Sequence, residues 1–217
     1  MGRRKETKKM TTTDQIQIIA PGEYQALYES PPRVRTPEEM LEFQLQCFVE
    51  RELAMPADAD PFRKRLPEHS RFLFVPKRPK TLNLKCLMAM IKLEGKRGVN
   101  YLNAQFLVDF IEVPEEPYLM TDIEDGRARL NVAPSVSQET ISAESRSPFT
   151  TFEGIVFGIV FPVVLTHHNL DLIGSRYESG GFPYLCLSDD KPTLYYHWGY
   201  NAYPRWGAPS CGSRLGA

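Results

Sequence analysis

Several features that would announce a function are missing from this 217-residue chain. Its four cysteines, Cys47, Cys86, Cys186 and Cys211, stand far apart and show none of the paired spacing that zinc sites use, so reduced thiols are expected and no metal site is implied. No Gly-rich strand-to-helix fingerprint occurs, which argues against a dinucleotide fold and leaves no cofactor implied. There is no excess of either charge. With a formal net charge of -1, the chain lacks the overall basic field of a dedicated nucleic-acid binder. The longest apolar stretch, Ile155 to Leu165, is interrupted by Gly158 and Pro162 and is too short to span a bilayer, so no membrane partner is expected. Basic Met1 to Met10 runs into Thr11-Thr12-Thr13-Asp14 rather than an apolar signal core, so a cytoplasmic location is expected.

What is present suits one globular domain over 15–217, preceded by a flexible basic tail over 1–14. Charge is segregated along it. Residues 63–97 hold eleven Lys or Arg against Glu68 and Glu94, whereas residues 98–126 hold seven acids and no Lys or Arg.

After a strand-like run at Gln15 to Ala20 and a break at Pro31-Pro32, Thr36-Pro37-Glu38-Glu39 has the form of a helix start. It predicts a helix from Pro37 to about Leu53, with Leu41, Leu45, Phe48 and Val49 inward and Glu39, Glu42, Gln46 and Glu50 outward. Arg71 to Val75 reads as a strand. The imperfect alternation of Leu82 to Leu93 favours a strand closed by Gly95 to Gly98, and Tyr101 to Val113 favours another. Glu124-Asp125-Gly126 signals a hairpin joining Tyr118 to Ile123 with Arg127 to Val132, so that the basic and acidic segments become neighbours. A short helix over Val136 to Ser145 is expected, capped by Ser135. A longer one, Thr150 to His168, is opened by a Thr150/Glu153 capping box and buried on every side. Leu170 to Ile173, Tyr184 to Leu187 and Thr193 to Trp198 are the closing strands, with a turn at Asp189 to Pro192. Together these elements predict an α+β fold with a mainly antiparallel sheet, a few helices and one apolar helix in the core.

Tyr118 to Gly126, Leu130-Asn131-Val132, Ser147-Pro148, Glu153-Gly154-Ile155, Phe161-Pro162, Gly174-Ser175-Arg176, Trp198, Asn201 and Ser210 to Arg214 form an ordered set of motifs. This C-terminal half resembles a bacterial family, frequent in actinomycetes, defined as a domain of unknown function; upstream of Arg71 no resemblance is seen. The resemblance implies a small cytoplasmic protein and carries no chemistry, cofactor or residue role with it.

Three functional readings follow from the residues themselves. Arg176 and Arg214 sit beside Gly and Ser amides, and with Trp198, Asn201 and the tyrosines of 195–203 they suit a binding module for an anionic small molecule or a protein partner's carboxylate. The alternative is a small acyl- or group-transfer enzyme in which Cys211 is the nucleophile and His197 its base. The third is nucleic-acid binding through residues 63–97 with Phe72 and Phe74 stacking, the least favoured given the net charge. Against each stands a structural alternative, namely loop-bonded arginines, an ordinary turn cysteine and a core-facing Phe pair. His167-His168 is read as helix-terminus chemistry rather than a metal pair.

Overall fold

The computed structural model describes residues 36–68, 71–178 and 180–217. The expectations for residues 1–35, including the tail, the Gln15 to Ala20 run and the Pro31-Pro32 break, lie outside the described residues.

Helix α1 (Pro37–Val49) begins as its sequence dictates, with Thr36 Oγ1 accepting from the Glu39 amide at 3.2 Å and Pro37 in the first turn. Its apolar face is buried and Glu39, Glu42, Gln46 and Glu50 are exposed. Gln44 breaks the pattern, being fully buried. Its side-chain amide donates to Phe72 O at 2.9 Å, and its carbonyl accepts from Phe74 N at 2.7 Å. Those are backbone groups of strand β1 (Phe72–Val75), which forms one edge of a three-stranded sheet. Gln44 therefore satisfies an edge that would otherwise be left open.

The stretch read as a strand at Leu82 to Leu93 is instead helix α2 (Leu84–Met90). Asn83 caps it by accepting from the Cys86 amide at 3.1 Å. Residues 84–90 contain no β-branched side chain, and Leu84, Leu87, Met88 and Ile91 are buried at helical spacing, so the better-fitting period was 3.6 rather than 2. Strands β2 (Lys92–Leu93) and β3 (Lys96–Arg97) then form a tight hairpin through Glu94 and Gly95, both at positive φ. β4 (Val99–Asn100) follows.

The expected strand from Tyr101 to Val113 shortens to β5 (Leu107–Asp109), because Asn103 caps a 3₁₀ turn at Ala104–Phe106. β6 (Tyr118–Thr121) pairs antiparallel with β1, which sets the basic and acidic segments side by side as anticipated. The hairpin after it does not form. Gly126 adopts the positive φ of 102° that its turn needs, yet Arg127–Arg129 continues as a 3₁₀ turn. The partners of β6 are instead β1 and the C-terminal strand.

Helix α3 (Pro134–Ala143) starts at Pro134 with Ala133, not Ser135, at its cap. β7 (Ser147–Pro148) leads into α4 (Thr151–Val160), every residue of which is buried. The Phe161-Pro162 pair ends α4, so the expected single helix to His168 becomes two, the second being α5 (Val164–His167). α4 is surrounded by α1, α2, β1 and the Phe182–Ser188 strand of the larger sheet. A Cβ on Gly154 would lie 2.3 Å from Leu172 Cδ2, so a larger residue there would have to displace the Leu172 side chain.

The remaining strands are β8 (Asn169–Asp171), β9 (Ser175–Tyr177), β10 (Phe182–Ser188), β11 (Lys191–His197), β12 (Trp206–Gly207), β13 (Ser210–Cys211) and β14 (Ser213–Gly216). Asp189 and Asp190, both at positive φ, turn β10 into β11. A five-stranded sheet runs in the order β12-β8-β10-β11-β4, antiparallel at its centre and parallel at both outer pairs. β5 pairs with β9, and β13 pairs with β7. The fold is α+β with mainly antiparallel sheets and a buried apolar helix.

Register gives the five-stranded sheet two different faces. Leu170, Leu185 and Leu194, fully buried, point toward α4. The opposite face carries Trp206, Asp171, Tyr184, Tyr195 and His197.

Candidate functional site

On that outer face, His197 Nε2 lies 2.9 Å from Asp171 Oδ1. Asp171 is almost wholly buried, and burial pushes its carboxyl above the usual carboxylate range while the His197 hydrogen bond pulls the other way. With Asp171 ionised and the imidazole neutral, Nε2–H donates to Asp171 and Nδ1 is left as an acceptor. Nδ1 is buried and has no hydrogen-bond partner among the described residues. An acceptor left in this state costs about 1–3 kcal/mol.

Aromatic rings enclose the imidazole. Trp206 lies 4.4 Å from it at 72° between planes, Tyr184 5.4 Å at 84°, and Tyr203 6.1 Å at 63°. Burial raises the Tyr184 hydroxyl to about 12, so this ring stays neutral at ordinary pH. Trp206 is held by the backbone behind it. A Cβ on Gly207 would sit 2.0 Å from Gly126 O, so only glycine lets β12 meet the 124–126 turn this closely. Beyond Trp206 opens a recess of about 430 Å³ lined by Asn169, Arg205, Asp189 and Asp190 among others.

A second polar cluster lies around the start of α4. Glu153, fully buried, accepts from Arg214 Nε at 2.6 Å and Nη2 at 2.9 Å, from the Tyr118 hydroxyl at 2.7 Å and from the Thr150 amide at 2.7 Å. Arg214 also donates to Ser147 Oγ at 2.6 Å and Pro148 O at 2.8 Å. Burial alone would weaken the guanidinium's hold on its proton, but the Glu153 hydrogen bonds outweigh it and keep Arg214 charged. The same capping box that opens α4 thus anchors the C-terminal strand.

The sequence candidates fall into two groups. His197 enters the aromatic site, while Trp198, half exposed, meets Tyr196 edge-on at 6.3 Å, and exposed Asn201 reaches the Tyr203 hydroxyl at 3.3 Å. The two arginines are occupied elsewhere. Arg176 stacks 3.9 Å over Phe182 and donates to Ile173 O, Ser175 O and Gln138; Arg214 is spent on Glu153. Cys211 is fully buried in β13, and burial pushes its thiol up to about 11 against the opposing pull of Arg214. Its charged neighbours are Arg214, Glu153, Arg146 and Asp122, not His197. Phe72 and Phe74 are buried in the core and have no ring face open to a base. Along a cleft of about 700 Å³, Lys77 pairs with Glu116 and Arg78 with Asp109. His167 closes α5, and His168 is buried with Nε2 2.9 Å from Asp125 O. Asp122 and Glu124, at the expected hairpin, are paired with Arg146 and Arg129. Asp171 was missed as the partner of His197, because only the register between β8, β10 and β11 brings them together.

The coordinates thus define an α+β protein with an aromatic-faced mixed sheet carrying a histidine–aspartate pair. Among the described residues no helix is long and apolar enough to cross a membrane. The chain belongs to a family of unknown function, DUF5701, whose profile matches residues 39–217. The match begins well upstream of Arg71, so α1 and β1 belong to the same family unit as the C-terminal motifs. No curated protein and no solved structure matches the chain.

Proposed function

We propose that the protein is a binding module whose ligand seat is the outer face of the five-stranded sheet at His197, Tyr184, Trp206 and Tyr203. The observation that carries this reading is the aromatic wall of Tyr184, Trp206 and Tyr203 around the His197–Asp171 pair, with the recess beyond Trp206 beside it. A ring-bearing ligand suits it, the rings supplying apolar area and the Asp171-held imidazole keeping the wall in place. Arg176 and Arg214 act here as supports. Arg176 braces Phe182, which pairs with His197 across β10 and β11, and Arg214 secures the strand after β13.

The test is thermal denaturation against a panel of ring compounds such as indole, nicotinamide, nucleosides and phenols, beside anionic non-aromatic metabolites. At a hundredfold excess over Kd a true ligand adds about 2.7 kcal/mol of stability. His197→Ala and Asp171→Asn are expected to abolish the response to ring compounds. A panel that stabilises only through anions, with both variants responding normally, would sink the proposal.

One observation favours a second reading. A carboxylate-oriented imidazole is half of an acid–base device, and with Cys211 sealed the chemistry left to it is proton transfer or activation of water. Turnover of phenyl esters lost in His197→Ala, with Cys211→Ser unaffected, is the result that reading requires.

A further inference from the structure

The outer sheet face holds more than the His197 seat. Crossing the strands, Trp206, Tyr184, Tyr195 and Tyr101 form a row with centroid steps of 4.2, 6.3 and 5.8 Å. Its far end is open, with Tyr195 43% and Tyr101 64% exposed. So much aromatic surface turned to solvent marks an interaction surface.

Ring geometry decides the kind of partner. Planes along the row meet at 42°, 82° and 80°. The near-perpendicular Tyr184–Tyr195 and Tyr195–Tyr101 neighbours make V-shaped grooves, whereas nucleobases and sugars need flat, exposed faces to lie on. Proline rings fill such grooves, and the unpaired carbonyls of a polyproline II helix accept from tyrosine hydroxyls. The row accommodates about five residues at about 3.1 Å each.

Charge around the row is mixed rather than the positive stripe a single strand of nucleic acid requires. Lys191 borders it on β11. In the recess beyond Trp206, Arg205 is turned onto the carbonyls of Thr166 and His167, and Asp190 is held by Lys96 at 2.9 Å. That leaves Asp189, exposed and without an ion-pair partner among the described residues, to meet a cation.

We propose that this row docks a peptide segment in the polyproline II conformation, with an arginine or lysine at the end that reaches Asp189. The inference rests on the reading of the outer face as the binding surface and names its partner class.

Fluorescence polarisation of the full chain against a labelled array of Pro-Pro-x-Pro peptides, each with an arginine or alanine flank, tests it, with an eight-residue oligo(dT) and cellohexaose as competing classes. Binding in the range of about 10–100 μM is expected, weakened about tenfold or more by Tyr195→Ala and by Trp206→Ala. Tyr195→Phe, which keeps the ring, is expected to retain most of it. Asp189→Asn should erase the preference for the arginine flank while leaving alanine-flanked binding unchanged. No peptide binding up to 1 mM, binding indifferent to Tyr195 and Trp206, or tighter binding of oligo(dT) or cellohexaose would each overturn the inference. If ring compounds still act through His197 while peptides do not bind, the inference fails alone; if neither binds, the underlying reading fails with it.

Discussion

Replacing Arg214 by methionine removes the guanidinium bonded to the fully buried Glu153 carboxylate. Four hydrogen bonds go with it, two to Glu153 and one each to Ser147 and Pro148. Breaking a buried pair from one side costs about 3–5 kcal/mol, because the remaining charge is left without its counterion. Glu153 keeps the Tyr118 hydroxyl and the Thr150 amide and hydroxyl as donors, which places the loss near the lower end, about 3 kcal/mol. For a chain of this size about 1 kcal/mol moves Tm by about 2–4 °C, so a drop of roughly 6–12 °C is expected by calorimetry. Arg214→Lys retains the charge but not the fork and is expected to fall between. The double variant Glu153→Gln/Arg214→Met is expected to recover much of the loss, because no buried charge is then left unpaired. A single-variant loss below about 1 kcal/mol, or a double variant no better than the single, would refute the view of this pair as the anchor of the C-terminal strand.

Three further expectations concern other side chains. Burial holds the His168 imidazole below its ordinary value of 6.5, so the unfolded chain takes up that proton first; stability from this group is complete above about pH 6.5 and declines below it. His168→Gln should flatten the slope of unfolding free energy between about pH 7.5 and 5.5, and an unchanged slope contradicts the assignment. Of the four cysteines only Cys86 is exposed, so native protein should show one fast maleimide-reactive thiol at pH 7.5, lost in Cys86→Ser; rapid labelling of Cys211 would reopen its candidacy as a nucleophile. Gln44→Leu strips both side-chain bonds from the open edge of β1 and is expected to cost about 2–4 kcal/mol in urea unfolding, against under about 1 kcal/mol if the edge finds other partners.

Local chemistry was legible where one residue type settles the backbone. Thr36-Pro37 and Thr150/Glu153 announce their helices, and Asp189-Asp190 announces its turn. Alternation misled at Leu82 to Leu93, where Met, Leu and Ala fit either period and the Asn83 cap was the deciding signal. It also overextended Tyr101 to Val113, where Asn103 draws the chain into a turn. Gly126 signalled positive φ correctly, but a turn residue cannot say which strand β6 pairs with, and the long-range pairing with β1 and β14 prevailed. The candidate site divides along the same line. His197 and the aromatic residues around it are visible as types in the sequence, while Asp171 becomes their partner only through register across three strands. Arg176 and Arg214 drew notice as anion binders because nothing in their neighbouring residues reveals Phe182 or Glu153 as their counterparts.

The account's central claim is that the outer face of the five-stranded sheet receives the ligand. Trp206 belongs to this region, 4.2 Å from Tyr184 and 4.4 Å from His197, so its indole N–H resonance reports on it directly, with Trp198 as the internal comparison. A fragment screen followed by ¹H–¹⁵N correlation spectra is predicted to give hits whose shifts centre on Trp206 and the amides of Tyr184 and His197, and which vanish in His197→Ala. Shifts centred on the cleft at Lys77 to Leu82, or a screen in which the Trp206 indole does not move, would contradict it.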